Sequence, residues 1–189
     1  MKKAFTMLEL IFVIIVIGIL AAVILPEMRF SKTREAAIQL VSHIRYTQHL
    51  AMIDDKFGDN TGGSNWYEKR WQIRFSGTNN RDYSIVSNNN TKFAADPLNH
   101  DANLTKELEN QTLAFNNGCA NHTIISFDHL GRPIVGALNN TSAYFTDGNP
   151  ATSVAGELMT TACRISLTGD ETNVVIVIEP ETGYAYIDI

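Results

Sequence analysis

From Phe5 to Leu25 the chain carries one charged side chain, Glu9, in 21 residues. As a helix rising 1.5 Å per residue, such a stretch is about 31 Å long, the thickness of a bilayer's hydrocarbon layer. Lys2 and Lys3 precede it. The positive-inside rule therefore keeps the N-terminus cytoplasmic and sends the remainder across the membrane. That remainder is polar and rich in Asn and Thr, as a soluble domain would be. A cleaved secretory signal is the alternative, with Ala21-Ala22 as its small-residue cleavage region. Two features speak against it. The basic region is very short, and a carboxylate inside an apolar segment is costly and usually has a partner or a function.

The opening residues, Lys2-Lys-Ala-Phe-Thr-Met-Leu-Glu-Leu10, resemble the prepilin signature of type IV pilins and type II secretion pseudopilins. The resemblance implies a leader of residues 1–4, cut by a prepilin peptidase between Ala4 and Phe5, and N-methylation of the new Phe5 amine. The family's usual residue before the cut is Gly; here it is the small Ala4. The resemblance also implies a transmembrane and fibre-core helix over 5–25, its amphipathic half over 26–55, and a periplasmic β-rich domain over 56–189. The partners it implies are other pilins or pseudopilins of the same fibre, the peptidase, an inner-membrane assembly platform and inner-membrane lipid.

Glu9 would be an isolated charge in an apolar helical bundle, which is strongly unfavourable unless it is paired. In the family its partner is the N-terminal amine of a neighbouring subunit, and that pairing selects one axial register. Pro26 cannot donate to the carbonyl four residues back and kinks or opens the helix there. Gly18 lowers helix stability by about 1 kcal/mol relative to Ala. Two readings of Gly18 stand side by side: a stretch that melts on assembly, as in the family, or close helix packing in the membrane.

Beyond Pro26, Phe30, Ala37, Val41, Ile44 and Ala51 keep a three-four spacing, widened by Leu40 and Met52. The opposite face carries Lys32, Arg34, Glu35, Gln39, Arg45 and Gln48. This predicts helix to about residue 53, a continuous rod of roughly 70 Å from residue 5, ended by the Gly-rich 54–64 segment. Alternation predicts strands at Trp71–Phe75, Asp82–Val86, Thr123–Phe127, Cys163–Leu167, Val174–Ile178 and Tyr184–Ile187, with a short one at Ile134–Ala137. Turns fall at 76–81, Asp128–Gly131, 168–170 and Pro180–Gly183, and a long loop at 139–156. The fold class expected is α+β, a long N-terminal helix packed on an antiparallel sheet. Trp71–Phe75, Ser126–Pro133 and Val174–Ile178 with Gly183-Tyr184 are similar to the H-type minor pseudopilins and FimT-like minor pilins.

A net charge of −5 argues against a broad duplex-binding surface, and Tyr184–Ile189 lacks the basic residues that DNA-uptake relatives carry. Cys119 and Cys163 permit one intramolecular disulfide in an oxidising compartment; two buried thiols are the alternative. No catalytic constellation stands out, so an enzyme is not expected. His43 and His49 are six apart on the helix and do not share a face; His100, His122 and His129 have no ligand partners at metal spacing. Asp55–Asn60 lacks calcium-loop spacing and reads as a solvated turn. No cofactor or metal is implied. Chance Asn-x-Ser/Thr triplets are expected in so Asn-rich a chain. Asn103-Leu-Thr105 differs in having Asp101 two residues before it, as bacterial N-glycosylation machinery tends to require. The reading is a structural subunit, a minor pseudopilin or minor pilin; the alternative is a signal-anchored periplasmic binding domain outside any fibre.

Overall fold

Thr33, Ala37, Leu40, Ile44, Thr47 and Ala51 recur every three or four positions along the helix Lys32–Ile53 (α2), and all are buried. A helix this polar is stabilised by the face it buries rather than by propensity. Leu40 and Ile44 are fully buried, which contributes about 1.5–3 kcal/mol each. The expected stripe is wrong at one margin: Met52 is 53 % exposed, being a third of a turn past Ala51. Phe30 lies outside the described residues. The computed structural model describes residues 6–27, 32–59, 66–87, 90–97, 101–136, 138, 156–169 and 172–188, without the side chains of 23–27.

The chain divides into two compact units, residues 1–31 and 32–189. The first contains the helix Met7–Glu27 (α1). The single long helix expected is therefore not shown; α1 and α2 are separate elements, and residues 28–31 between them lie outside the described residues. The α+β class holds. Among the described residues of the second unit every strand pairing is antiparallel, and the strands form two sheets rather than one.

The first sheet is built on the hairpin Gln72–Ser76 (β1) and Asp82–Ser87 (β2), in register from Gln72 opposite Val86 to Ser76 opposite Asp82. Lys92–Phe93 (β3) and Thr105–Glu107 (β4) share the outer edge of β2. Thr112–Asn117 (β5) belongs to the second sheet. Ile124–Phe127 (β6) pairs with β1, followed outward by Pro133–Val135 (β7) and Glu157–Leu158 (β8). The second sheet has the order β11-β10-β9-β5, with Cys163–Thr168 (β9), Asn173–Ile178 (β10) and Ala185–Asp188 (β11). Ile73, Phe75, Ile125 and Phe127 from the first sheet and Ile165, Leu167, Ile176 and Ile178 from the second enter one core with the buried face of α2. Positions 139–155 of the expected loop lie outside the described residues.

Two turns tie the sheets to the helix. In the first, Asp128 Oδ1 accepts from the amides of Leu130 at 2.9 Å and Arg132 at 2.7 Å. Its Oδ2 accepts from Arg132 Nε at 2.8 Å. The Gln48 amide Nε2 then donates to the carbonyls of Gly131 at 2.8 Å and Thr182 at 2.7 Å, linking the β6–β7 turn to the β10–β11 turn. Gly183 has φ of 65°, and a Cβ there would meet the Gly131 carbonyl and the Gln48 side chain. Only glycine fits this junction. Arg45 donates twice, at 2.9 and 2.7 Å, to the Ala185 carbonyl of β11.

Cys119 follows the end of β5, where Asn117 sits opposite Cys163 of β9. The two cysteines form the disulfide, with Cα atoms 4.9 Å apart.

One polar pair lies deep in the core. His43 Nδ1 of α2 is 2.7 Å from the hydroxyl of Tyr83 of β2, and both residues are buried. The charged groups facing them are Asp96, after β3, and Lys106 of β4, themselves paired at 2.6 Å. Burial lowers the His43 pKa below its ordinary 6.5; Asp96 opposes the shift and Lys106 adds to it. Burial likewise raises the Tyr83 pKa, with Asp96 acting in the same direction. The folded state thus favours neutral His43, while the unfolded chain takes up a proton near pH 6.5. Stability contributed by this site is full above that pH and is lost as pH falls through it toward the lower folded value, by at most about 1.4 kcal/mol per pH unit. Denaturant unfolding at pH 7.5, 6 and 5 is expected to show a steeper acid loss in the wild type than in His43→Gln. Parallel profiles would contradict this role.

Candidate functional site

Thr6 stands just before α1, and its Oγ1 accepts from the Glu9 amide at 3.2 Å. Thr6-Met-Leu-Glu9 is thus the Thr-x-x-Glu pattern of a capping box, and Glu9 occupies the first turn, where a negative charge is favoured. That local role was legible in the spacing and is absent from the reading above.

The helix beyond Thr6 has no polar face. Every side chain from Thr6 to Ala22 is exposed, including Met7 at 82 %, Leu8 at 80 % and Phe12 at 67 %. A helix apolar all round is stable in water only when something covers it, lipid or other helices. Among the described residues no helix is long and apolar enough to cross a membrane. Glu9 is the only charge between Thr6 and Ala22. A Cβ added at Gly18 would meet nothing within 4 Å, so no group of the described chain fills that notch. Pro26 falls within the bounds of α1, but its side chain is not described, and Ala4 and Phe5 lie outside the described residues.

Other residues weighed in the sequence belong to the second unit. His43 is a core residue, and the His129 ring packs 4.8 Å from that of Phe57. His100 lies outside the described residues. Among the described residues no three His, Cys, Asp or Glu side chains are grouped as metal ligands. Asp54, at the end of α2, accepts from Lys56 at 2.7 Å and from Trp71 Nε1 at 3.0 Å. Burial opposes ionisation of Asp54, but these bonds together with the charges of Lys56 and Lys92 outweigh it and lower its pKa. At the other end of the domain Asp188 pairs with Arg164, so the last strand sets a carboxylate beside a guanidinium. Ile38, Val41 and Ile187 line a shallow groove between α2 and β11.

No family model, curated protein or solved structure matches this chain.

Proposed function

We propose that the chain is a structural subunit, a minor pseudopilin or minor pilin, of a type II secretion pseudopilus or type IV pilus. The observation that carries this reading is α1: an exposed helix, apolar on all sides, with one carboxylate in its first turn. The prepilin-like residues around Ala4 and Phe5 supply its context. On this reading residues 5–25 lie in the inner membrane before assembly, with the domain of α2 and the two sheets in the periplasm. Leader removal exposes the Phe5 amine, and N-methylation leaves it cationic. A cytoplasmic motor acting through the assembly platform then moves the subunit from lipid into a bundle of identical or related helices. Lipid and helix bundle are both apolar, so the transfer of the α1 side chains is nearly neutral. Charge decides the register: Glu9 is matched when it faces a neighbour's amine and is left buried and unpaired at any other offset. A continuous helix from Phe5 to Ile53, through Gly18 and Pro26, belongs to the same reading.

The disulfide supports placement in an oxidising compartment. Nothing in this mechanism calls for bond chemistry by the domain itself. Fractionation tests the reading. The wild-type chain is expected in sheared or cross-linked fibres together with other subunits. Recovery solely as a detergent-soluble monomer would favour the anchored binding domain instead.

A further inference from the structure

Three Asn-x-Thr triplets fall on described residues: Asn103-Leu-Thr105, Asn110-Gln-Thr112 and Asn121-His-Thr123. Two are accounted for by backbone geometry. Asn110 has φ of 57° and Asn121 of 64°, the left-handed conformation that Asn tolerates better than other side-chain-bearing residues. Asn103 is not in that conformation, so no turn demands it. It is also alone among the three in having a carboxylate two residues before it; Leu108 and Cys119 hold that place in the others.

The backbone presents this triplet outward. Leu104 is fully buried and anchored on both sides: its amide donates to Ala94 O at 2.8 Å and its carbonyl accepts from Ile85 N at 3.2 Å. Asp101, Asn103 and Thr105 are all exposed around it. The Thr105 amide donates to Asn103 O at 3.0 Å, a three-residue turn across the triplet. Among the described residues no hydrogen bond engages the Asn103 carboxamide. Among the described residues β4, which begins at Thr105, pairs with β2 alone.

We infer that Asn103 is an acceptor for N-linked glycan, delivered from a lipid-pyrophosphate-linked oligosaccharide by a transferase that reads the Asp101 carboxylate and the Thr105 hydroxyl. In the transfer, Asn103 Nδ2 forms a bond to the anomeric carbon of the donor sugar. The bond from that carbon to the pyrophosphate oxygen breaks, the lipid pyrophosphate leaves with the electron pair, and the amide proton passes to a base of the transferase. Nothing is oxidised or reduced. A bulky, hydrated group at this point would shield the edge of β4 away from β2 from pairing with another chain. The inference rests on the exported placement proposed above.

The test is peptide mass spectrometry of the full-length chain from its native membranes, with the redox state of Cys119 and Cys163 read on the same sample. The wild-type peptide spanning 101–105 is expected to carry a sugar mass on Asn103. The addition should disappear in Asn103→Gln and fall to a trace in Asp101→Ala, both exposed positions whose substitution leaves the core intact. A bare Asn103 in a chain with its disulfide formed would overturn the acceptor site and leave export standing. A bare Asn103 with reduced cysteines would overturn both. Glycan retained in Asn103→Gln would move the site elsewhere and overturn this assignment.

Discussion

Glu9→Gln is expected to leave membrane insertion unchanged and to reduce incorporation into fibres roughly 150- to 4,000-fold. Removing one member of a buried charge pair costs about 3–5 kcal/mol, because the other charge stays buried without compensation, and each 1.4 kcal/mol is tenfold. The substitution is chosen because Thr6 caps the Glu9 amide. Gln serves the capping box as well as Glu does, so the start of α1 is preserved while the charge is removed. Glu9→Ala removes the charge and the acidic member of the capping pattern while keeping the Thr6 bond to the residue-9 amide, and is expected to assemble no better. The readout is the ratio of chain in sheared fibres to chain in membranes, by immunoblot. An unchanged ratio in Glu9→Gln would reduce Glu9 to a capping residue.

Replacing Cys119 and Cys163 together with Ser is expected to destabilise the domain by roughly 4 kcal/mol in the chain-entropy model. The bond spans 44 residues, so the unfolded chain gains a large loop's freedom when it is lost. For a domain of this size the melting temperature should fall by about 8–16 °C, at roughly 2–4 °C per kcal/mol. Both sulfur positions are fully buried, so two hydroxyls without assured partners add to the loss. Thermal unfolding of the detergent-solubilised chain, oxidised against the double variant, reads the difference directly. Equal midpoints would mean that β5 and β9 hold the loop closed without the bridge.

What the sequence disclosed follows how local the cause was. Strands β1, β2, β9 and β10 have alternating or β-branched runs and adjacent turns, and they lie close to where the pattern puts them. The Asp128–Gly131 and Pro180–Gly183 turns carry their own chemistry. β5 was not legible: in Thr112-Leu-Ala-Phe-Asn-Asn117 only Leu113 is buried, and the strand is defined by lying opposite β9, Phe115 against Ile165. β4 and β8 are too short for any period to appear. The division into two sheets comes from pairings between distant residues, and no window of sequence contains it. The His43–Tyr83 contact joins residues 40 apart on a helix and a strand and was invisible for the same reason. At the candidate site the balance is reversed. The apolar block and Glu9 were evident from composition alone, and the structure adds the Thr6 cap and the open notch at Gly18.

The measurement that bears most directly on the proposed subunit is the intact mass and N-terminal peptide of the chain taken from native membranes. A chain beginning at N-methylated Phe5 is the expected result, since a plain tether has no need of a cut between Ala4 and Phe5. A chain still beginning at Met1, or cut near Ala22, would contradict the fibre mechanism and leave an anchored or secreted domain.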